Sequence, residues 1–264
     1  TQSRSSAASD VYKRQIKLRT VYKQNFKALL MRFFLLLSVL LVGCKTTQQS
    51  VAEISEVSPG TIYFQGETSK QNVEKFEQLL VNSDQQINTL VINSQGGDVM
   101  AGLHLGGLVH EYQLDVVVHE LCASSCANYV LTASPHVLVE EQAVIGWHGG
   151  SLQPLYVPME QPPEVASYIA KWQAAERQFF DIINVEQAVT IIGMMPGITE
   201  KRDSAIYSYD AQTLKRLGLH IEFAGAQTGM SASGEKLAQV FELEESVLNH
   251  FLMLNDIVSA ELIN

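Results

Sequence analysis

Short apolar runs rich in β-branched residues alternate along this chain with stretches whose apolar residues recur three and four apart. Residues 61–66 (Thr-Ile-Tyr-Phe-Gln-Gly) predict a strand that ends on a glycine. Behind it Thr68 and Ser69 offer a helix cap, and Val73, Phe76, Leu79 and Leu80 then fall at helical spacing. Residues 87–93 predict a second strand, 99–112 a second helix and 114–119 a third strand. An apolar helical run begins near Ser125, and 137–139 and 143–147 read as further short strands. Strands that alternate with helices argue for an α/β class, with stacked βαβ units and a mostly parallel sheet flanked by helices. Ligands in such sheets gather beyond the C-terminal ends of the strands.

The texture changes after His148. Residues 151–163 hold four prolines and read as a loop or flap. Residues 165–183 predict a helix, and 185–194 a further one. Asp210 is placed to cap a helix through Arg216 that Gly218 closes, ahead of a strand at 219–223. Residues 235–262 read as mostly helical, with Leu237, Val240, Phe241, Val247, Leu248, Phe251, Leu252 and Val258 roughly on one face. That face packs on its own domain or, in a homo-oligomer, on a second copy. No internal repeat or low-complexity tract stands out.

The first sixty residues do not share this pattern. Residues 31–44 have a methionine, one positive charge, a short apolar core and the ending Leu41-Val42-Gly43-Cys44, the form of a bacterial lipoprotein signal peptide. The apolar run is short for a membrane span. The match implies cleavage before Cys44 and lipidation of its thiol. Lys45 follows rather than aspartate, which points to the outer membrane and a periplasm-facing domain. On that expectation 1–30 is non-native upstream text, 31–43 the signal peptide, and 44–58 a lipidated cysteine with a polar tether. Residues 59–230 are then the hydrolase domain and 231–264 a C-terminal helix.

Charge shifts with that division. The whole chain sums to −10, and residues 1–43 hold eight of its Lys/Arg and one of its Asp/Glu. From Cys44 on, ten basic and 27 acidic residues leave a net −17. Such a body repels phosphate backbones, so nucleic acid is not an expected partner. With Cys44 lipidated, Cys122 and Cys126 remain in an oxidising compartment. Four residues apart, they either pair or stay as packed thiols, and without clustered histidines they make no metal site. No cofactor is expected.

The candidate chemistry lies at three strand ends. Asn93-Ser94-Gln95-Gly96-Gly97-Asp98 joins a strand to a helix, and adjacent glycines let backbone N–H groups approach a ligand. No Gly-Lys-Ser/Thr follows, so a phosphate loop is a poor reading. Ser125 sits at the start of the next helix, where unpaired N–H groups favour a developing oxyanion. Ser124 is its obvious competitor. His148, between an apolar strand and Gly149-Gly150, is placed to act as a base. The other six histidines, His119 the least clear among them, lack such a context.

Together these stretches resemble the Clp protease proteolytic subunit, whose Asn-Ser-Pro-Gly-Gly-Ser-Val-x-Ala-Gly motif is similar to residues 93–102 here. The resemblance covers about residues 62–222. The Cys-x-Ser-Ser-Cys-Ala-Asn-Tyr and Gly-Trp-His-Gly stretches look closer still to uncharacterised periplasmic Clp-like proteins. It implies a Clp/crotonase-type fold, Ser125 as nucleophile, His148 as base, and the N–H groups of Gly97 and Cys126 as oxyanion hole. Gln95 stands where the motif has proline. The family's third member, an aspartate, would fall near Ile206; Asp203 is the nearest carboxylate, with Asp181 and Asp210 poorer. A Ser–Lys dyad is disfavoured, because Lys171 lies in a predicted helix with no motif around it. The resemblance implies a serine peptidase-like hydrolase acting on peptides or proteins. A catalytically inactive peptide-binding module on the same fold is the alternative, with crotonase-like acyl-thioester chemistry behind both.

Overall fold

The computed structural model describes residues 52–156 and 162–261. The expected signal peptide, Cys44 and the upstream segment lie outside them, as does 157–161 of the proline-rich stretch. Among the described residues no helix is long and apolar enough to cross a membrane.

The chain runs β1 (Glu53–Ser58), β2 (Thr61–Gln65), α1 (Lys70–Asn82), β3 (Thr89–Ser94), α2 (Val99–Glu111) and β4 (Asp115–Ala123). A wide-pitched π turn, Cys126–Leu131, follows at once. Then come β5 (Val137–Val139), β6 (Val144–Gly146), α3 (Gln153–Tyr156), α4 (Pro163–Ile183), β7 (Ile206–Tyr209), α5 (Ala211–Arg216), β8 (Ile221–Phe223), β9 (Ala238–Phe241) and α6 (Glu245–Glu261). The fold is α/β, as the alternation predicts. Its main sheet has the order β1-β2-β3-β4-β5-β8, parallel throughout except for β1.

Alternation explains which face is covered. Ile62 and Phe64, Leu90 and Ile92, and Val116 and Val118 point inward and are buried. Their neighbours Tyr63, Gln65, Val91 and Val117 are half-buried on the other face. Val73, Phe76 and Leu80 of α1 join the same core. Each such side chain contributes roughly 1.5–3 kcal/mol on burial. Ser69 caps α1 by accepting from the Asn72 N–H, and Asp98 caps α2 by accepting from Ala101.

β4 makes the site possible because it is long. Its lower half pairs with β5, and its upper half pairs with β6 instead, Ala123 opposite Gly146. Sequence pattern places the strand end at His119, but the structure carries it on through Glu120, Leu121, Cys122 and Ala123. The end of β6 thus arrives beside the end of β4.

Three expectations change. Residues 53–58, assigned to the tether, form β1, paired antiparallel with β2. Within the segment read as a C-terminal helix, 238–241 is β9, which pairs in parallel with β7, so the domain extends past 230; the helix is Glu245–Glu261. Leu237, Val240 and Phe241 suit a helix by spacing, but the parallel partner at Ile206–Tyr209 decides the matter. Residues 187–194 form two 3₁₀ turns rather than one helix. There Gly193 packs bare against the Tyr207 ring, which a Cβ would hit.

Candidate active site

The Gly-Gly turn is built for close approach. Gly96 has φ +91°. A Cβ on it would lie 2.6 Å from the Ala123 carbonyl oxygen and from Ser124 Cβ, and 2.9 Å from the Ser125 nitrogen. Only glycine places this backbone against the end of β4. The turn is pinned from below, where the Thr68 N–H donates to the Gly96 carbonyl at 3.0 Å.

Ser124 is the first residue after β4 and has φ +59°, in the left-handed region. A non-glycine residue held there is uncommon and marks a sharp turn between strand and helix. Its N–H donates to Gly146 at 3.1 Å, and its carbonyl accepts from the Asn128 N–H at 2.8 Å. One bond ties it to β6, the other to the helical turn that follows. The turn lifts its side chain clear, and Ser124 Oγ lies 2.7 Å from His148 Nε2. His148 is exposed. It follows Trp147, whose backbone exchanges hydrogen bonds with Tyr207 at 2.7 and 2.9 Å. The β7 edge thereby fixes where the imidazole starts.

The expectation for Ser125 is therefore not met. Its backbone is already right-handed helical, at φ −60° and ψ −23°. Its side chain turns inward and is buried, with Oγ 2.7 Å from Thr68 Oγ1. Gly102 of α2 lies against it, since a Cβ there would meet Ser125 Cβ at 2.8 Å. The hydroxyl that meets His148 is one residue earlier. The amide that follows it is accordingly Ser125's, not Cys126's. Among the hydrogen bonds of the described residues, neither Gly97 nor Ser125 donates its N–H to protein.

Cys122 and Cys126 are joined in a disulfide with both residues fully buried. The bridge spans the Ser124 turn and ties the last strand residues to the helix start. Closing so short a loop constrains the unfolded chain by about 2 kcal/mol in the chain-entropy view.

Asp203 is not brought to the histidine. Its carboxylate lies 2.6 Å from Lys236 Nζ, and its N–H donates to Gln239 Oε1 at 2.7 Å. Asp210 caps α5 through the Thr213 N–H at 3.1 Å. Asp181 is exposed on α4. Among the described residues no carboxylate oxygen lies within 4.0 Å of a His148 ring nitrogen. The geometry is a Ser124–His148 pair.

Two polar residues to which the sequence assigns no role sit behind this pair. Asn128 is buried and donates from Nδ2 to the Gly149 carbonyl at 3.0 Å. Glu176 of α4 is wholly buried and accepts from Tyr129 Oη, from the Ser151 N–H and from Gln187 Nε2, each at 2.8 Å. Burial and the adjacent Glu176 carboxylate hold the Tyr129 phenol well above its ordinary range, so it stays protonated and donates. The sequence carried a signal for Glu176: on α4 it shares a face with Trp172, Phe179 and Phe180, where a lone acid is out of place.

No protein-family model and no curated protein matches the chain. Among solved structures it is similar to a mutant of the 1510-N membrane-bound stomatin-specific protease. The two are 13% identical, the match covers 69% of this chain and 95% of that one, and the TM-score is 0.36. A likeness that slight carries no residue role across.

Proposed function

We propose that the protein is a serine hydrolase of the peptidase type with Ser124 as nucleophile and His148 as general base. The observation that carries this reading is the 2.7 Å contact between Ser124 Oγ and His148 Nε2, made by a serine held at φ +59° on a strand-to-helix turn. With the hydroxyl donating, His148 Nε2 takes its proton as Oγ attacks a carbonyl carbon. The oxyanion develops beside the Gly97 and Ser125 N–H groups, which have no other acceptor among the described residues. His148 then returns the proton to the leaving amine, and water attacks the acyl-enzyme by the same route. Donors of this kind each supply roughly 3–4 kcal/mol in known hydrolases.

Peptide carbonyls are the proposed substrate because the Asn93-to-Gly102 stretch resembles the Clp proteolytic subunit. Among the described residues no carboxylate pairs with His148, which favours a second reading, a peptide-binding module that no longer cleaves. Hydrolysis of a fluorogenic peptide library by the wild type against His148→Gln separates the two. The expected loss is roughly 100- to 10,000-fold. Equal rates, or binding without any turnover, would remove the catalytic reading.

We further propose that the domain is an outer-membrane lipoprotein facing the periplasm, anchored through Cys44. The signal-like run ending at Cys44 and the Cys122–Cys126 disulfide support this, since disulfides persist in oxidising compartments. Metabolic labelling with a palmitate analogue should mark the wild type and not Cys44→Ser. Label on neither protein would contradict the anchor.

A further inference from the structure

We infer that Glu176 and Asn128 are positioning residues for His148, holding the backbone of the loop that carries it. The inference rests on the Ser124–His148 reading and explains how an imidazole with no carboxylate partner among the described residues is kept in place.

The loop after His148 has little side chain of its own to pack. Gly149 has φ +140° and lies against Gln153 and Met194 Sδ, which a Cβ would meet at 3.1 Å. Gly150 is pressed on Thr190 Oγ1, and Ser151 is fully buried. Its position is therefore set through backbone groups. Asn128 holds the Gly149 carbonyl at 3.0 Å. Its own N–H holds the Ser124 carbonyl at 2.8 Å, so one residue touches both the nucleophile turn and the base loop.

Glu176 repeats that logic from a second element. One oxygen accepts from the Ser151 N–H, and the other from Tyr129, which belongs to the helical turn following Ser124. Gln173 Nε2 meanwhile donates to the Ser151 carbonyl at 3.0 Å. A buried carboxylate is costly to keep, and among the described residues no cation pairs with this one. As a stability element it is a poor choice. As a cross-link between the segments bearing the two reacting groups, its three charge-assisted hydrogen bonds are directional and strong. An error of about 1 Å in such a pair costs on the order of 100-fold in rate.

The test uses the full chain with three variants, Glu176→Leu, Glu176→Gln and Asn128→Ala, and two readouts. The first is the rate of fluorophosphonate labelling of Ser124. The second is the ¹⁵N signal of the His148 ring, which reports its hydrogen bond without requiring turnover. Folding is checked by circular dichroism. Glu176→Leu is expected to slow labelling about 100-fold. Glu176→Gln, which keeps an acceptor toward Ser151, should recover most of the rate. Asn128→Ala should slow labelling tenfold or more, and Glu176→Leu and Asn128→Ala should both shift the His148 signal. Folded variants that label at the wild-type rate with an unmoved His148 signal overturn the inference. Should Glu176→Leu not fold, Asn128→Ala decides alone. A wild type that takes no label defeats the Ser124–His148 reading instead; the ring signal then still decides the positioning role, a shift in Asn128→Ala supporting it and an unmoved signal overturning it.

Discussion

Ser124→Ala is expected to lower hydrolysis by a factor on the order of 10,000 or more, while its neighbour Ser125→Ala loses less than about tenfold. Knocking out the nucleophile of a serine hydrolase leaves only what the oxyanion donors and binding provide. Ser124 bears the hydroxyl within 2.7 Å of His148 Nε2. Ser125 contributes its backbone N–H, which alanine retains. What Ser125→Ala removes is the contact with Thr68 Oγ1. That leaves a buried hydroxyl unpaired at a cost of about 1–3 kcal/mol in stability. The two substitutions should therefore separate cleanly: one destroys turnover in a stable protein, the other weakens the fold and spares turnover. Initial rates and denaturation midpoints of the two variants measure both.

Gly96→Ala is the second large effect, because it strikes the fold and the site together. At φ +91° an alanine is strained, and its Cβ would lie 2.6 Å from the Ala123 carbonyl oxygen and Ser124 Cβ. Those neighbours are the last residue of β4 and the proposed nucleophile, so no flexible chain end can give way. Backbone strain and overpacking together cost roughly 2–5 kcal/mol. Any relief moves Ser124 and the Ser125 N–H apart from Gly97, so activity should fall with stability. Gly107→Ala is the control. It sits in α2 with nothing within 4 Å of its Cβ, and should stabilise by about 0.5–1 kcal/mol. Equal denaturation midpoints for the two variants would contradict the packing of the Gly-Gly turn against β4.

How much of this was legible in the sequence depended on range. Ile62, Phe64, Leu90, Ile92, Val116 and Val118 alternate with polar or half-buried neighbours, which marks the strands, and the helical stretches between those strands point to the parallel sheet. Gly96 and Gly97 were legible because backbone that must pass this close tolerates no side chain. The sequence points to Ser125, whereas the hydroxyl that meets His148 is that of Ser124, one residue earlier. Ser124 and Ser125 are chemically identical in the sequence. What tells them apart is that the chain turns left-handed at one and enters a helix at the other. Only pairing of β4 with β6 up to Ala123 and Gly146 fixes that phase. Asp203 is the carboxylate nearest the expected place at Ile206, but nearness along the chain says nothing of side-chain partners. Lys236, on the approach to β9, was the partner, and β9 itself was hidden within an apolar stretch of helical spacing. Glu176 went unread because a helix is expected to carry acids, and its burial depends on Tyr129 and Ser151 from distant parts of the chain.

The central claim is that the reactive hydroxyl belongs to Ser124, and it is tested most directly by locating a covalent fluorophosphonate adduct in folded wild-type protein by peptide fragmentation mass spectrometry. The account expects one phosphonyl group, on Ser124 Oγ, and none after His148→Gln or prior denaturation. An adduct on Ser125, or none at all in the folded protein, would contradict it.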